Sequence, residues 1–443
     1  MAASHATRRT IYWLCVLALF NAAFANAIRV GAAGAIKSAL LDPIDARHSG
    51  EMVGAVLGNA FLGFALSLLV ISPLLDRFGA RRVLLFAGAC FIVGPLLVLI
   101  SAHAGPNVML LLNFAMVIWG CGWGATEASI NPVTARLFPD DKTGKLNSLH
   151  AWWPMGIVLG GLLAIVVQQQ LAMDWRWLVA MPLLPGAALV ILVLRRPFPA
   201  IASVETGTSF RTMLSEPFRR PGFWIFFGIM LLTASAELAP AAWVDVALTQ
   251  TVGMPGIVVL VYVAAVMFVM RHFAGSLAHR LSDMGLLLIC TLPACAGLFL
   301  LSRADTPTSA LMAATLWAIG VCFMWPTMLA AVARRYPQSG SWGIGLIGFA
   351  GAIAIYFVLP QLGRIYDEAK IASAGGAEAF AALAPGSARM QAVLRDAAEI
   401  SFQTVAVIPA VLLGIFALLW LWERRVHAAG SARALKGKAG RCT

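Results

Sequence analysis

Apolar runs of about 20 residues recur along the whole of this chain, separated by short polar or basic segments. An α-helix of that length is roughly 30 Å long, the thickness of a bilayer's hydrocarbon core. In lipid, every backbone amide must find its partner inside the protein, so such runs fold as spanning helices. Twelve spans are expected, near 11–32, 51–74, 83–102, 107–135, 147–170, 176–194, 222–247, 255–278, 285–302, 308–333, 341–364 and 401–422. With 60% hydrophobic and only 12% charged residues, the composition fits an all-α polytopic membrane protein.

The net charge of +12 does not point to nucleic acid, because the basic residues are dispersed between the runs. With the N-terminus inside, 22 of the 32 Lys and Arg residues fall on the inner side. The positive-inside rule then makes both termini cytoplasmic in a bacterial-type inner membrane. The polar stretch 195–221, with five arginines, reads as a cytoplasmic linker between a 1–194 half and a 222–426 half, followed by a basic tail over 427–443. Arg8-Arg9, the apolar stretch 11–20 and Ala25-Asn26-Ala27 imitate a cleavable signal peptide. An even count of spans requires this segment to be a retained anchor. Six of the seven cysteines lie within apolar runs without metal-ligand spacing, so they read as small core residues.

The halves echo one another. The segment from Ser72 to Gly79 is matched, 203 residues on, by the one beginning at Gly275, with Arg77 opposite Arg280. Trp119, Gly122, Ala135, Arg136 and Pro139 are matched at an offset of 198 by Trp317, Gly320, Ala333, Arg334 and Pro337. Parallel duplication of six-helix units is how major facilitator transporters are built.

Within the fourth run, Glu127 is the only charged residue between His103 and Arg136. It lies nine residues before Arg136, roughly 14 Å along a helix and so near mid-membrane. Trp123, Glu127 and Asn131 share one face at four-residue spacing, and Pro132 favours a kink just beyond. An intramembrane carboxylate is tolerated when protonated or paired, and such residues commonly face a cavity or a proton route.

Other polar residues within the spans are candidates on depth alone. Asn21 falls near mid-depth, and Asn26 follows it on the same span. Arg29 and Glu237 are expected near the outer ends of spans one and seven, where they either pair across an outer gate when the carrier faces inward or stand as two separate interfacial charges that snorkel to water. Arg271 either reaches the central cavity as a counter-charge or snorkels to the inner surface. Trp325 stands opposite Glu127 in the repeat and could stack on a sugar ring, though most tryptophans here should be belt or packing residues. His150, at the inner start of span five, reads as structural. The segment 367–400 is polar and alanine-rich and should lie outside, with room for an amphipathic helix.

Two stretches carry a family resemblance. Leu75-Asp76-Arg77-Phe78-Gly79-Ala80-Arg81-Arg82 resembles the major facilitator signature between helices two and three. The family's latching role on the inner side would fall to Asp76, Arg77 and Arg81. Glu127-x-x-x-Asn131-Pro132, with the following Leu146–Gly156 and Gly160-Gly161, resembles the fourth and fifth helices of fucose-type sugar:proton symporters. That resemblance implies a carrier of a small sugar-like solute with Glu127 as proton-coupling residue; taken with the depth and spacing of the residues, the expectation is a monomer with Asn21, Asn26, Trp123, Asn131, Trp325 and Arg271 about the substrate. It implies no cofactor, metal or nucleic-acid partner. Those symporters also carry a helix-one aspartate, and here Ala27 stands in the comparable place. The competing readings are a proton-driven exporter of organic compounds, and a membrane sensor or membrane-embedded enzyme. A nucleophile–base or metal constellation is missing from the sequence, and the Asp76–Arg82 loop is intact.

Overall fold

The structure is a computed structural model of the chain. It describes residues 5–138, 145, 148–196, 209–248, 252–278 and 281–439, with side chains described at all of these except 5–7, 76, 135–136, 169, 244–248, 272–278 and 426–439. Among the described residues, eleven helices are long and apolar enough to cross a membrane. A twelfth has a shorter apolar stretch, Gly256–Arg271.

The first six are α1 (His5–Ile36), α2 (Ser49–Phe78), α3 (Ala80–Ser101), α4 (Val108–Leu137), α5 (Trp152–Ile165, prolonged by a π-helical turn at Val166–Gln170) and α6 (Trp175–Ala180 with Leu183–Leu194). The second six are α7 (Pro221–Leu248), α8 (Gly256–Ala278), α9 (Asp283–Ser302), α10 (Pro307–Val321 with Met324–Arg335), α11 (Gly340–Ala374) and α12 (Ala388–Ala439). A linker helix, Phe210–Arg219, starts from a Ser209 cap whose hydroxyl accepts the Thr212 amide. An even number of crossings puts both chain ends on one face, here the terminal face, and leaves a distal face opposite.

The expected spans agree with these helices in number and order, and the departures have local causes. α6 and α10 are each interrupted beside a proline, Pro182 and Pro326, whose missing N–H cannot close the helical ladder. α11 and α12 overrun their expected ends because the alanine-rich 367–400 stretch favours helix. Two long helices and the short Ala377–Ala381 turn thus occupy the stretch where one amphipathic helix was expected. α1 is buried along its length, at Cys15, Leu19, Ala23 and Ala27 among others. The signal-like segment is therefore part of the bundle.

The repeat seen in the sequence reappears in the packing. Gly94 of α3 lies against Trp119 of α4, and Gly297 of α9 lies against Trp317 of α10. Asn59 donates to Asn113 at 2.8 Å between α2 and α4, while Tyr262 and Thr315 bond at 2.8 Å between α8 and α10. Equivalent helix pairs are clasped at equivalent heights.

The halves meet mainly along α2–α11 and α5–α8. On the distal side, Gly50, Gly54 and Gly58 turn a side-chain-free stripe of α2 to α11. A Cβ built on Gly54 would stand 2.5 Å from the Leu359 carbonyl oxygen, so backbone meets backbone there. At the distal end the Asp367 carboxylate accepts the Glu51 amide at 2.9 Å, capping the first turn of α2 from the other half. Asp367 is also paired with Lys370 at 2.5 Å, both buried.

On the terminal face, Ser341 of α11 donates to the Ser72 carbonyl at 3.1 Å. Gly79 turns between α2 and α3 with φ +76°. Arg81 donates to the carbonyls of Leu194, at 2.7 Å, and Val193, at 3.4 Å, and so caps the C-terminus of α6. Arg77 is exposed. The Asp76 and Arg136 side chains, and Arg280, lie outside the described residues. In the second half, Asp283 holds Arg334 and Arg335, and Arg335 also holds Glu423, joining the ends of α9, α10 and α12.

Candidate functional site

Helices α4 and α10, which pack little on each other, flank a set of cavities along the axis between the halves. Toward the terminal face a cavity of about 170 Å³ is lined by Phe64, Leu68, Glu127, Asn131, Trp325 and Leu329, among others. That is room for several waters at about 30 Å³ each. A central cavity of about 30 Å³ follows, bordered by Trp123, Glu127, His150, Trp153, Glu237, Arg271 and Trp325. A third, of about 40 Å³, lies beyond and shares Trp153, Glu237 and Leu238 while adding Asn26. Glu127 and Trp325 thus border the first two, and Glu237 the second and third.

The polar groups of the centre form a chain from one half to the other. Asn131 donates to Glu127 Oε2 at 3.1 Å, as their four-residue spacing on α4 allows. The other end of its amide, Oδ1, accepts from His150 Nε2 at 2.8 Å. With Oδ1 as acceptor, the His150 proton sits on Nε2. The His150 carbonyl, just before α5, then accepts from Arg271 Nη1 at 3.3 Å, a bond that crosses from the first half to α8. Arg271 Nη2 completes the chain 3.5 Å from Glu237 Oε1 on α7.

A proline explains why Arg271 points this way. Pro326 has no N–H to offer the carbonyl four residues back, that of Cys322. The freed Cys322 oxygen accepts Arg271 Nε at 3.0 Å. The same device recurs in α7, where Pro240 leaves the Ala236 carbonyl free and Trp317 Nε1 donates to it at 3.1 Å.

Aromatic rings pave one side of the centre. Trp123 is stacked between Phe64, at 4.2 Å and 8°, and Trp153, at 4.7 Å and 23°. Trp325 stacks more loosely on the other half's side of Phe64, at 6.2 Å and 25°. The four rings run from α5 through α4 and α2 to α10.

Of the residues singled out in the sequence, Glu127, Trp123, Asn131, Trp325 and Arg271 come together here. Arg271 reaches the cavity and does not snorkel. The expected pair of Arg29 with Glu237 is absent. Glu237 turns to Arg271, while Arg29 donates to Asn26 Oδ1 at 2.8 Å and lies 5.4 Å from the centre of the Trp119 ring. Counting residues locates a backbone, not the end of a long side chain, and Arg271 reaches Glu237 first. Asn26 borders the third cavity, but Asn21 is fully buried away from all three, and among the described residues neither of its amide atoms has a hydrogen-bond partner. His150 and Trp153 belong to the centre although sequence reasoning gave them no such place. The Leu146–Gly156 stretch already carried the family resemblance, and that was the available signal.

A bundle of two six-helix halves around a buried, charged centre has the architecture of an integral membrane transporter. The chain belongs to the Major Facilitator Superfamily, whose model matches residues 11–359. The D-xylose transporter of Levilactobacillus brevis is 34% identical over 147 residues, 32% of this chain and 30% of that one. The glucose transporter GlcP of Staphylococcus epidermidis is 27% identical over 165 residues, 36% of this chain and 34% of that one. The match thus spans about a third of the length of these relatives.

Among solved structures, a D-xylose-proton symporter superposes with a TM-score of 0.71 at 14% identity, over 88% of this chain and 96% of its own. The inward-open xylose transporter XylE from E. coli gives 0.71 at 12%, over 94% and 95%. The E. coli fucose:proton symporter FucP gives 0.59 at 16%, over 91% and 99%. At such identities the likeness is one of fold.

Proposed function

We propose that this chain is a secondary transporter that moves a small, polar, sugar-like solute by alternating access, coupled to protons at Glu127. The observation that carries the reading is the central site itself. A buried carboxylate hydrogen-bonded to Asn131, and through it to His150, faces a cavity walled by Trp123, Trp153 and Trp325. Aromatic faces beside hydrogen-bonding groups suit a polyhydroxylated ring, which has apolar C–H faces and polar edges. The xylose and glucose transporters among its relatives support the same substrate class.

The basic residues support an inner-membrane protein with the terminal face cytoplasmic. The halves then extend over 1–194 and 222–426, with 195–221 as linker and 427–443 as tail, and the carrier works as a monomer. The distal seam is closed and the largest of the three cavities lies toward the terminal face, where Ser341 still bridges to Ser72, which supports a form closed distally and not yet open to the terminal side. The loop after α2, with Asp76, Arg77 and Arg81, serves the opposite state by latching the terminal face shut.

Proteoliposomes carrying the full chain and a panel of labelled pentoses and hexoses test the reading. Expected is accumulation driven by an inward proton gradient, abolished in Glu127→Gln while gradient-free exchange persists. Absence of sugar uptake overturns the substrate class. Uptake indifferent to both the gradient and the substitution overturns the coupling.

A further inference from the structure

The central site holds more charge than a single proton-coupling glutamate accounts for. Glu237 and Arg271 are paired at 3.5 Å with side chains only 8% and 7% exposed, and Glu127 lines the same cavity with 9% exposure. They come from α4, α7 and α8, so the group straddles the two halves. Glu237 lies on α7, the helix of the second half that corresponds to α1 of the first.

We propose that Glu127, Glu237 and Arg271 act as one three-charge site that holds a single proton. Arg271 neutralises one carboxylate, the proton the other, and the two exchange places during the cycle. This rests on the reading of Glu127 as the proton-coupling group.

The charge count among the groups that line the central cavity favours such sharing. Two carboxylates and one guanidinium leave one negative charge over, and an uncompensated charge buried this deeply is expensive. One proton brings the site to neutrality, and interacting carboxylates titrate as a pair.

The other groups about the site leave this count unchanged. His150, just before α5, serves as a neutral N–H donor to Asn131. Cys322 on α10 contributes its carbonyl. Arg29 on α1 is also a buried cation, but it does not line the central cavity: it is bonded to Asn26, lies against Trp119, and among the described residues makes no ion pair with either carboxylate.

The geometry also provides for the exchange. Two of Arg271's contacts hold it within its own half, to Cys322 and Glu237, and one holds it across to His150. Separation of the halves breaks the crossing bond. It then leaves Arg271 with Glu237 and Glu127 in need of the proton. When the guanidinium swings to Glu127, the proton passes to Glu237.

Infrared spectroscopy of the purified, reconstituted full chain counts protonated carboxyls through their C=O stretch and needs no substrate. The wild type should show one buried carboxylic-acid band. Glu127→Gln and Glu237→Gln should each lose it, because the carboxylate that remains takes Arg271. Arg271→Gln should double it. Should that variant fail to fold, Glu237→Gln combined with Arg271→Gln buries no unpaired charge and should keep a single band from Glu127. A wild-type band that survives Glu237→Gln unchanged, or no band in the wild type, overturns the proposal. Because no sugar is involved, a wrong substrate class would leave this pattern intact.

Discussion

The carboxylate of Asp367 accepts the backbone amide of Glu51 at 2.9 Å, so a residue of α11 caps a helix belonging to the other half. The leading amides of α2, Glu51 among them, lie before the first helical acceptor, and an anion there satisfies one of them and complements the helix dipole. Lys370 keeps that anion neutral overall. This bond can exist only while the distal face is closed.

Asp367→Ala should therefore favour opening of the distal face. A lost cap costs about 0.5–2 kcal/mol, and stranding Lys370 adds to it. A Val53→Cys substitution, at a buried position next to Gly54 of the seam, should react with a membrane-impermeant maleimide roughly several-fold faster in the variant, in line with that cost. An unchanged rate would show that the cap does not hold the face shut.

Gly54→Val should act in the same direction by steric means. Its Cβ would fall 2.5 Å from the Leu359 oxygen, a backbone atom that cannot rotate away. Overpacking of this kind costs about 1–3 kcal/mol. Transport should fall and labelling at position 53 should rise, with the helix content measured by circular dichroism unchanged. Normal transport would mean that the seam has slack.

Pro326→Ala would return an amide N–H to compete for the Cys322 carbonyl that Arg271 now uses. A hydrogen bond to a charged group contributes about 1.5–3 kcal/mol, so proton-driven uptake should drop roughly tenfold or more. Pro409→Ala, in α12 and away from the three central cavities, is the control and should leave uptake near wild type. Equal losses in both would make the effect one of helix stability.

His150→Ala leaves Asn131 Oδ1 without its donor, at a cost of about 1–3 kcal/mol. His150→Gln can still offer an N–H. Sugar exchange rates should fall roughly 5–100-fold in the first, following that cost, and much less in the second. If both lose activity equally, the imidazole has a role other than donating to Asn131.

The number and order of the helices were legible because apolar run length is a direct record of the bilayer. The face shared by Trp123, Glu127 and Asn131 was equally legible, since spacing within one helix fixes it. What lay hidden is tertiary. Nothing in spacing says that His150 meets Asn131 across 19 residues, or that Arg271 chooses Glu237 over solvent while Arg29 settles on Asn26. Only Pro132 was read as a kink, whereas Pro326 and Pro240 release carbonyls at Cys322 and Ala236 that other helices then use. The overrun of α11 and α12 escaped notice because helices that leave the membrane lose the apolar signature while keeping their backbone form.

The glycine stripe of α2 bears on how often this molecule can repeat its motion. Where helices interlock through large side chains, parting them means moving every ring and methyl out of its slot, and returning means finding each slot again. Gly50, Gly54 and Gly58 present no such teeth to α11. The distal surfaces touch as two smooth planks do, tightly when together and without memory of alignment when apart. A gate built this way can open and reseal many times without its side chains having to repack.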